Sequence, residues 1–204
     1  MAAPYENNRV LLTGSLKGDI EYSHSLYGEA FYTMMLAVPR LSGTEDILPV
    51  TFSERLLLDS EAPKWTYIEV NGQLRSYNKQ VGDSNRLVIT VFARKLASAE
   101  GCAPGINEIT LEGYICKPPV YRTTPFSREI ADILLAVNRS YNKSDYLPII
   151  AWGRNARFAS TLPVGEHIRI CGRIQSREYQ KILQDGSCVS RTAYEVSSSS
   201  IERA

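Results

Sequence analysis

Apolar residues at alternate or near-alternate positions divide this chain into short predicted strands, and the pattern runs through the chain twice. Residues 10–16 are apolar and β-branched and predict a first strand, with Gly14 in its middle predicting a bulge or sharp bend of the kind a small barrel needs to coil. Residues 31–38 are apolar at more than alternate positions, which predicts a second strand that is largely covered. Polar residues 40–46 form a tip, and residues 47–52 predict a third strand, so the two read as a long hairpin. Residues 54–60 turn to helix-favouring composition, closed by Pro63. Alternation returns at Tyr67-Ile68-Glu69-Val70 and runs through Gly72. A last strand at residues 86–93 follows a hairpin tip at Val81-Gly82-Asp83.

Each of these segments recurs about 100 residues later, at an offset of 99 that drifts to 100 at Gly72 and Gly172 and to 105 at the last strand. Asn8-Arg9-Val10-Leu11-Leu12-Thr13-Gly14 lies over Asn107-Glu108-Ile109-Thr110-Leu111-Glu112-Gly113, and Leu48-Pro49-Val50 lies over Leu147-Pro148-Ile149. The second set comprises strands at 130–137 and 146–152, a helix at 154–161 closed by Pro163, and strands at 167–174, with Gly172, and at 191–197, beyond a hairpin tip at Gln184-Asp185-Gly186. A shared offset over several blocks means one module made twice. Each copy reads strand, strand, strand, helix, strand, strand, which is the order of the five-stranded oligonucleotide-binding (OB) barrel. The expected fold is therefore all-β: two tandem five-stranded OB barrels, each with one short helix after the third strand. The small, breaker-rich segment ending in Ala103-Pro104-Gly105 sets the expected boundaries, with a first barrel at 1–95, a linker at 96–105 and a second barrel at 106–204. The serine-rich tail from Ser197 is too short and polar to predict further structure.

Composition adds exclusions. The 22% charged and 44% hydrophobic residues suit a soluble globular chain, and neither a membrane span nor a secretory signal is visible, so a cytoplasmic location is expected by default. Cys102, Cys116, Cys171 and Cys188 are scattered without a C-x-x-C pair and read as free thiols rather than as a metal site or disulfide framework. With only His24 and His167, and no H-E-x-x-H, G-x-S-x-G or phosphate-loop motif, catalysis is disfavoured; no cofactor or small-molecule substrate is expected. His167 alternates with Ile168 on a strand and is expected simply to face solvent. Net charge is +1 overall, but residues 1–105 carry ten Lys/Arg against twelve Asp/Glu, and residues 106–204 carry thirteen against ten. Positive charge is biased to the second module. There Tyr141, Tyr146, Trp152 and Tyr179 are interleaved with Arg139, Lys143, Arg154, Arg173 and Arg177. Rings stack on unpaired bases and cations neutralise phosphates, though such aromatics also fill barrel cores or line protein interfaces.

At these residues the chain resembles the bacterial single-stranded DNA-binding protein family, with its phage and plasmid relatives. Residues 8–16 followed by Gly18-Asp19 resemble that family's opening strand and acidic turn. Leu135-Ala136-Val137-Asn138-Arg139-Ser140-Tyr141 resembles its second strand, and Ile150-Ala151-Trp152-Gly153-Arg154 its third strand and the start of the helix. Gly72-Gln73-Leu74-Arg75-Ser76 and Gly172-Arg173-Ile174-Gln175-Ser176 resemble its fourth strand. The resemblance implies base-stacking positions at Tyr141, Tyr146, Trp152 and Tyr179. The same counts in the first module fall on Ser42, Ile47, Phe52 and Lys79, where Phe52 alone is aromatic, with Tyr77 and Arg75 close by. It therefore implies non-enzymatic, largely sequence-independent binding of single-stranded DNA, mainly on the second barrel, with the first a degenerate copy. It also implies a homodimer that brings four barrels together. The family's acidic, hydrophobic-tipped tail has no counterpart in residues 197–204. The competing reading is a tandem-barrel protein-interaction module of primosome-accessory type with weak DNA binding.

Overall fold

The computed structural model describes residues 7–58, 66–81, 84–99, 105–182 and 186–204. The first module contains β1 (Asn8–Leu26), β2 (Glu29–Pro39), β3 (Glu45–Ser53), α1 (Arg55–Leu58), β4 (Tyr67–Val81) and β5 (Ser84–Ser98). The second contains β6 (Asn107–Ile115), β7 (Val120–Thr123), β8 (Glu129–Arg139), β9 (Lys143–Trp152), α2 (Arg154–Ser160), β10 (His167–Ile182) and β11 (Cys188–Arg203).

The strands hydrogen-bond in the order β2-β3-β5-β4-β1-β6-β10-β11-β9-β8-β7, and the further pairings β2–β1 and β6–β8 close each half on itself. Two five-stranded barrels result, each sealed by one short parallel contact, β3 with β5 and β9 with β11. Barrel closure removes the edges an open sheet would expose. The interiors are filled by the alternate apolar residues the sequence marks: Val10, Leu12, Leu36, Leu48, Phe52, Ile68 and Leu74 in one, Ile109, Leu111, Leu135, Leu147, Ile168 and Ile170 in the other.

The expected bend at Gly14 is a close approach rather than a bulge. A Cβ there would lie 2.3 Å from the Ala37 carbonyl oxygen, and one at Gly113 would lie 2.3 Å from that of Ala136. Register shifts lie elsewhere: further along β1, between Lys17 and Glu21 and between Tyr22 and His24, and in the two matching ladders between Asn71 and Gly72 and between Cys171 and Gly172.

Several strands exceed their sequence limits. β1 runs past Leu16 as an arm paired with β2, ending in a tight turn in which Tyr27 and Gly28 both have positive φ, 51° and 81°. In the second module the equivalent strand breaks into β6 and β7, since Pro118 and Pro119 between them have no N–H to give a ladder. β5 continues through Ser98, into the segment expected to be linker. The tail from Ser197 is also strand: residues 197–203 pair along β10, and Ile201 packs against the core. Backbone hydrogen bonds, which composition does not register, order this polar stretch. The described part of the first helix is Arg55–Leu58, and the rest of its predicted extent, the 81–83 and 184–186 hairpin tips, Pro63 and Cys102 fall wholly or partly outside the described residues.

The two barrels share one sheet. β1 and β6 pair antiparallel, Val10 opposite Ile109 and Leu12 opposite Asn107, about a pseudo-twofold axis. Cys116, Cys171 and Cys188 are free thiols, burial pushing that of Cys116 up. His167 does not simply face solvent: its ring stacks on Tyr114 with centroids 4.5 Å apart, and its Nε2 lies 3.3 Å from Glu112 Oε1.

Candidate nucleic-acid interface

Alternation decides which side chains reach the outer face of each barrel. On β10, Arg173, Gln175, Arg177 and Tyr179 fall on one face. Across the ladder, Tyr179 opposes Arg191 and Arg173 opposes Ser197 on β11, and Ile150 pairs with Ser197 across the parallel contact. Trp152 lies two residues beyond Ile150 and shares its face. The Trp152 ring is 38% exposed and its Nε1–H donates to Ser197 Oγ at 3.2 Å. Tyr179 and Tyr146 are also exposed. The second barrel thus presents Trp152 and Tyr179, both exposed, on one outer face that also carries Arg173 and Arg177.

Phe52 is not part of such a face. It is fully buried and stacks on Tyr32, centroids 6.2 Å apart. Register explains the difference. Trp152 pairs with Ile130, and the corresponding Phe31 pairs with Ser53, so the counterpart of Trp152 is Ser53, and Phe52 corresponds to the buried Ala151. A slip of one residue on a strand turns a side chain to the opposite face.

The first barrel is not bare, however. β4 places Tyr77 and Lys79 where β10 has Arg177 and Tyr179, so ring and cation have exchanged places two residues apart on the same face. On β5, Phe92 occupies the position of Ser197 and lies against Phe31, centroids 6.0 Å apart. These residues, with Thr51, Thr90 and Arg94, line a groove of about 910 Å³. Phe92, Thr90 and Arg94 were legible as alternate residues of one strand; counting from the second module passed over them.

Three of the expected phosphate contacts have another task. Asp145 is fully buried, and its Oδ1 accepts from the Ser76 N–H at 2.7 Å and from Arg139 at 3.4 Å, while its Oδ2 accepts from Arg75 at 3.4 Å. Across the pseudo-twofold, buried Asp46 accepts from the Ser176 N–H at 2.8 Å, from Arg40 and from Arg173 at 3.3 Å. Ser76 and Ser176 reciprocate, their Oγ atoms accepting from the N–H groups of Tyr146 and Ile47 at 2.8 and 3.0 Å. Arg75 and Arg173 therefore brace one barrel to the other, while Arg139, on the same hairpin as Asp145, completes the partners of that carboxylate. Burial lowers the pKa of Arg75, with the Asp145 charge opposing, and the hydrogen bond to Asp46 raises that of Arg40. Arg177 lies 3.8 Å from Glu195. Arg154 opens α2 on the surface, and Lys143 and Lys79 are exposed without an ion pair among the described residues.

Tyr141 and Lys143 stand at the β8–β9 tip, which does not overhang its own barrel. With Arg139, they line the groove of the first. The tip also holds Tyr141 and Asn142 at positive φ, 62° and 55°. No group of three or more His, Cys, Asp or Glu able to hold a metal occurs among the described residues, and no described helix is long and apolar enough to cross a membrane.

A pair of closed OB barrels with stacking rings and cations on their outer ribbons is the form of a nucleic-acid-binding module. The family model for the Single-strand binding protein family matches residues 106–204, the second module. Among curated relatives, the single-stranded DNA-binding protein of Clostridium tetani is 33% identical over 89 residues, 40% of this chain and 60% of its own length. Single-stranded DNA-binding protein A of Bacillus subtilis is 32% identical over 82 residues, 37% and 48% of the two chains. The chain spans about half the length of the curated relatives it matches. The wild-type single-stranded DNA binding protein of Thermus aquaticus superposes on it with a TM-score of 0.76 at 23% identity, covering 97% of this chain and 92% of that one, and so shares its fold.

Proposed function

We propose that this protein binds single-stranded DNA without catalysis and with little sequence preference, in DNA replication, recombination or repair. The observation that carries the reading is the exposure of Trp152 and Tyr179 on the outer face of a barrel whose sequence matches the single-strand binding family model. Such rings stack on any base, which gives affinity without a base-edge code. Tyr146 extends this face toward the seam, Arg154 and Arg177 supply phosphate contacts there and Lys143 supplies one at the first barrel's groove; Arg139, Arg173 and Arg75 contribute field from within the brace rather than free charge. The domain limits follow the repeat, with β5 carrying the first barrel through Ser98 and the second barrel at 106–204. Two copies pair as a homodimer carrying four barrels in the cytoplasm; sedimentation at micromolar concentration gives the mass of a dimer. Titration of a labelled oligo-dT at low salt tests the central reading, with duplex DNA and RNA as competitors. Tight, salt-sensitive binding that single strands alone displace is the expected outcome, and absence of binding at low salt would sink it.

A further inference from the structure

By sequence Tyr141 belongs to the second module, but by position it belongs to the groove of the first. We propose that Tyr141 completes a seat for unpaired nucleotides on the first barrel, acting with Tyr77 and Phe92 across the seam. The proposal rests on the single-strand binding reading and deepens it: the first barrel is a working site with one wall lent by its neighbour.

Four observations converge. The groove is open and has a volume of about 910 Å³, within the roughly 300–1,000 Å³ of small-molecule sites and enough to take bases. Its described lining includes Lys79, Arg94 and Lys143, with Arg75 and Arg139 held on Asp145 behind them, and no carboxylate, which suits a phosphate backbone. Tyr141 is 94% exposed, and consecutive left-handed residues at the tip hold it there. Non-glycine residues keep that backbone only where their surroundings impose it, and here the Ser76 N–H and Arg75 bonds to Asp145 and the Tyr146 N–H bond to Ser76 pin the hairpin to β4. Finally, the exchange is one-sided. The matching β2–β3 tip brings Leu41 and Ser42 to the second barrel's side of the seam beside Arg173, and neither has a ring. The stacking ring missing from one tip is present on the other, which fits a strand that crosses from the second barrel's ribbon to the first barrel's groove past Tyr141.

A double-mutant cycle in the full chain, read by anisotropy of labelled oligo-dT, tests this. Tyr141→Ala and Tyr77→Ala are each expected to weaken binding about tenfold, as loss of a stacking ring does, and together by clearly less than the hundredfold product, since the two rings serve the same bases. Tyr141→Ala with Tyr179→Ala, in separate grooves, is expected to reach about the product. Tyr141→Phe should retain the wild-type affinity. All these side chains are exposed, so unchanged melting curves are expected and confirm that each variant folds. Additivity with Tyr77 joined to coupling with Tyr179, or no effect of Tyr141→Ala at all, overturns the proposal while leaving single-strand binding intact. A wild-type chain that fails to bind removes the parent reading instead.

Discussion

Phe52 and Trp152 show how little separates a core residue from a surface one on a strand. Their neighbours match, yet one ring is fully buried and the other 38% exposed, because the register sets them on opposite faces. Phe52→Ala is expected to lower unfolding free energy by about 3–5 kcal/mol, as loss of a buried ring does, measured by denaturant unfolding. Trp152→Ala should leave the denaturation midpoint within a few degrees and weaken oligo-dT binding roughly tenfold. The reverse outcome would show the register to be wrong. The glycines give a second contrast. Gly113→Ala drives a methyl to 2.3 Å from a carbonyl of the paired strand, and backbone cannot yield there without opening the barrel. The variant is expected to fail to fold or to lose most of its stability. At Gly43, where φ is +82° and nothing lies within 4 Å, alanine meets only backbone strain of about 1 kcal/mol. Thermal melts of the two variants distinguish close approach from conformational freedom as the reason for each glycine. Strand existence, the helices' places and the four paired glycines were legible from residue pattern alone, because side-chain period and glycine position are properties of the sequence. The offset of 99 residues that sets Leu48 under Leu147 also sets Ser53 under Trp152, so taking Phe52 as the stacking ring rests on a count one residue short, and the ladder pairs agree with the offset.

At the scale of elements, the β2–β3 and β8–β9 hairpins are the joints of the molecule. Each carries a buried aspartate near its tip, and each aspartate accepts from a backbone N–H and an arginine of the opposite barrel. A buried carboxylate deprived of its charge leaves guanidinium groups partly buried without a counter-ion, which costs more than the pair contributes. Asp145→Asn is therefore expected to destabilise the protein by about 3 kcal/mol, and to free the β8–β9 tip so that amides near Tyr141 exchange faster with solvent. Hydrogen exchange and denaturant unfolding of the same variant check both parts. Unchanged stability would mean the brace is dispensable. Arg75, Arg139 and Arg173 looked like phosphate contacts in the sequence because a cation on a binding strand has the same signature whether it faces DNA or an internal carboxylate. Asp46 and Asp145 themselves gave no warning, since each sits in a polar tip where an exposed aspartate is ordinary. The strand at residues 197–203 went unseen for a related reason: its order comes from backbone partners on β10, not from its serine side chains.

For the whole molecule, the shared sheet and the two aspartate braces fix the barrels as one body, so a strand bound on one ribbon is presented to the other groove at high effective concentration. OB barrels each occupy about 4–16 nucleotides, so oligo-dT too short to leave one barrel gains only a single set of contacts. Affinity is expected to rise with length in two stages. The first comes as one groove fills; the second, larger than simple addition of nucleotides gives, comes once the oligomer is long enough to pass Tyr141 and enter the other groove. Salt dependence should steepen at the same length, because log affinity falls with log salt in proportion to the phosphates neutralised, at a slope near 0.7 per contact on single strands. Lys79→Ala and Lys143→Ala, both at the first barrel's groove, should each remove about one such contact from the long oligomer's slope. Both should leave the slope of an oligomer confined to the second barrel unchanged. A single smooth rise with length, or equal losses for short and long oligomers, would mean that the barrels bind independently and that the rigid seam serves the fold alone.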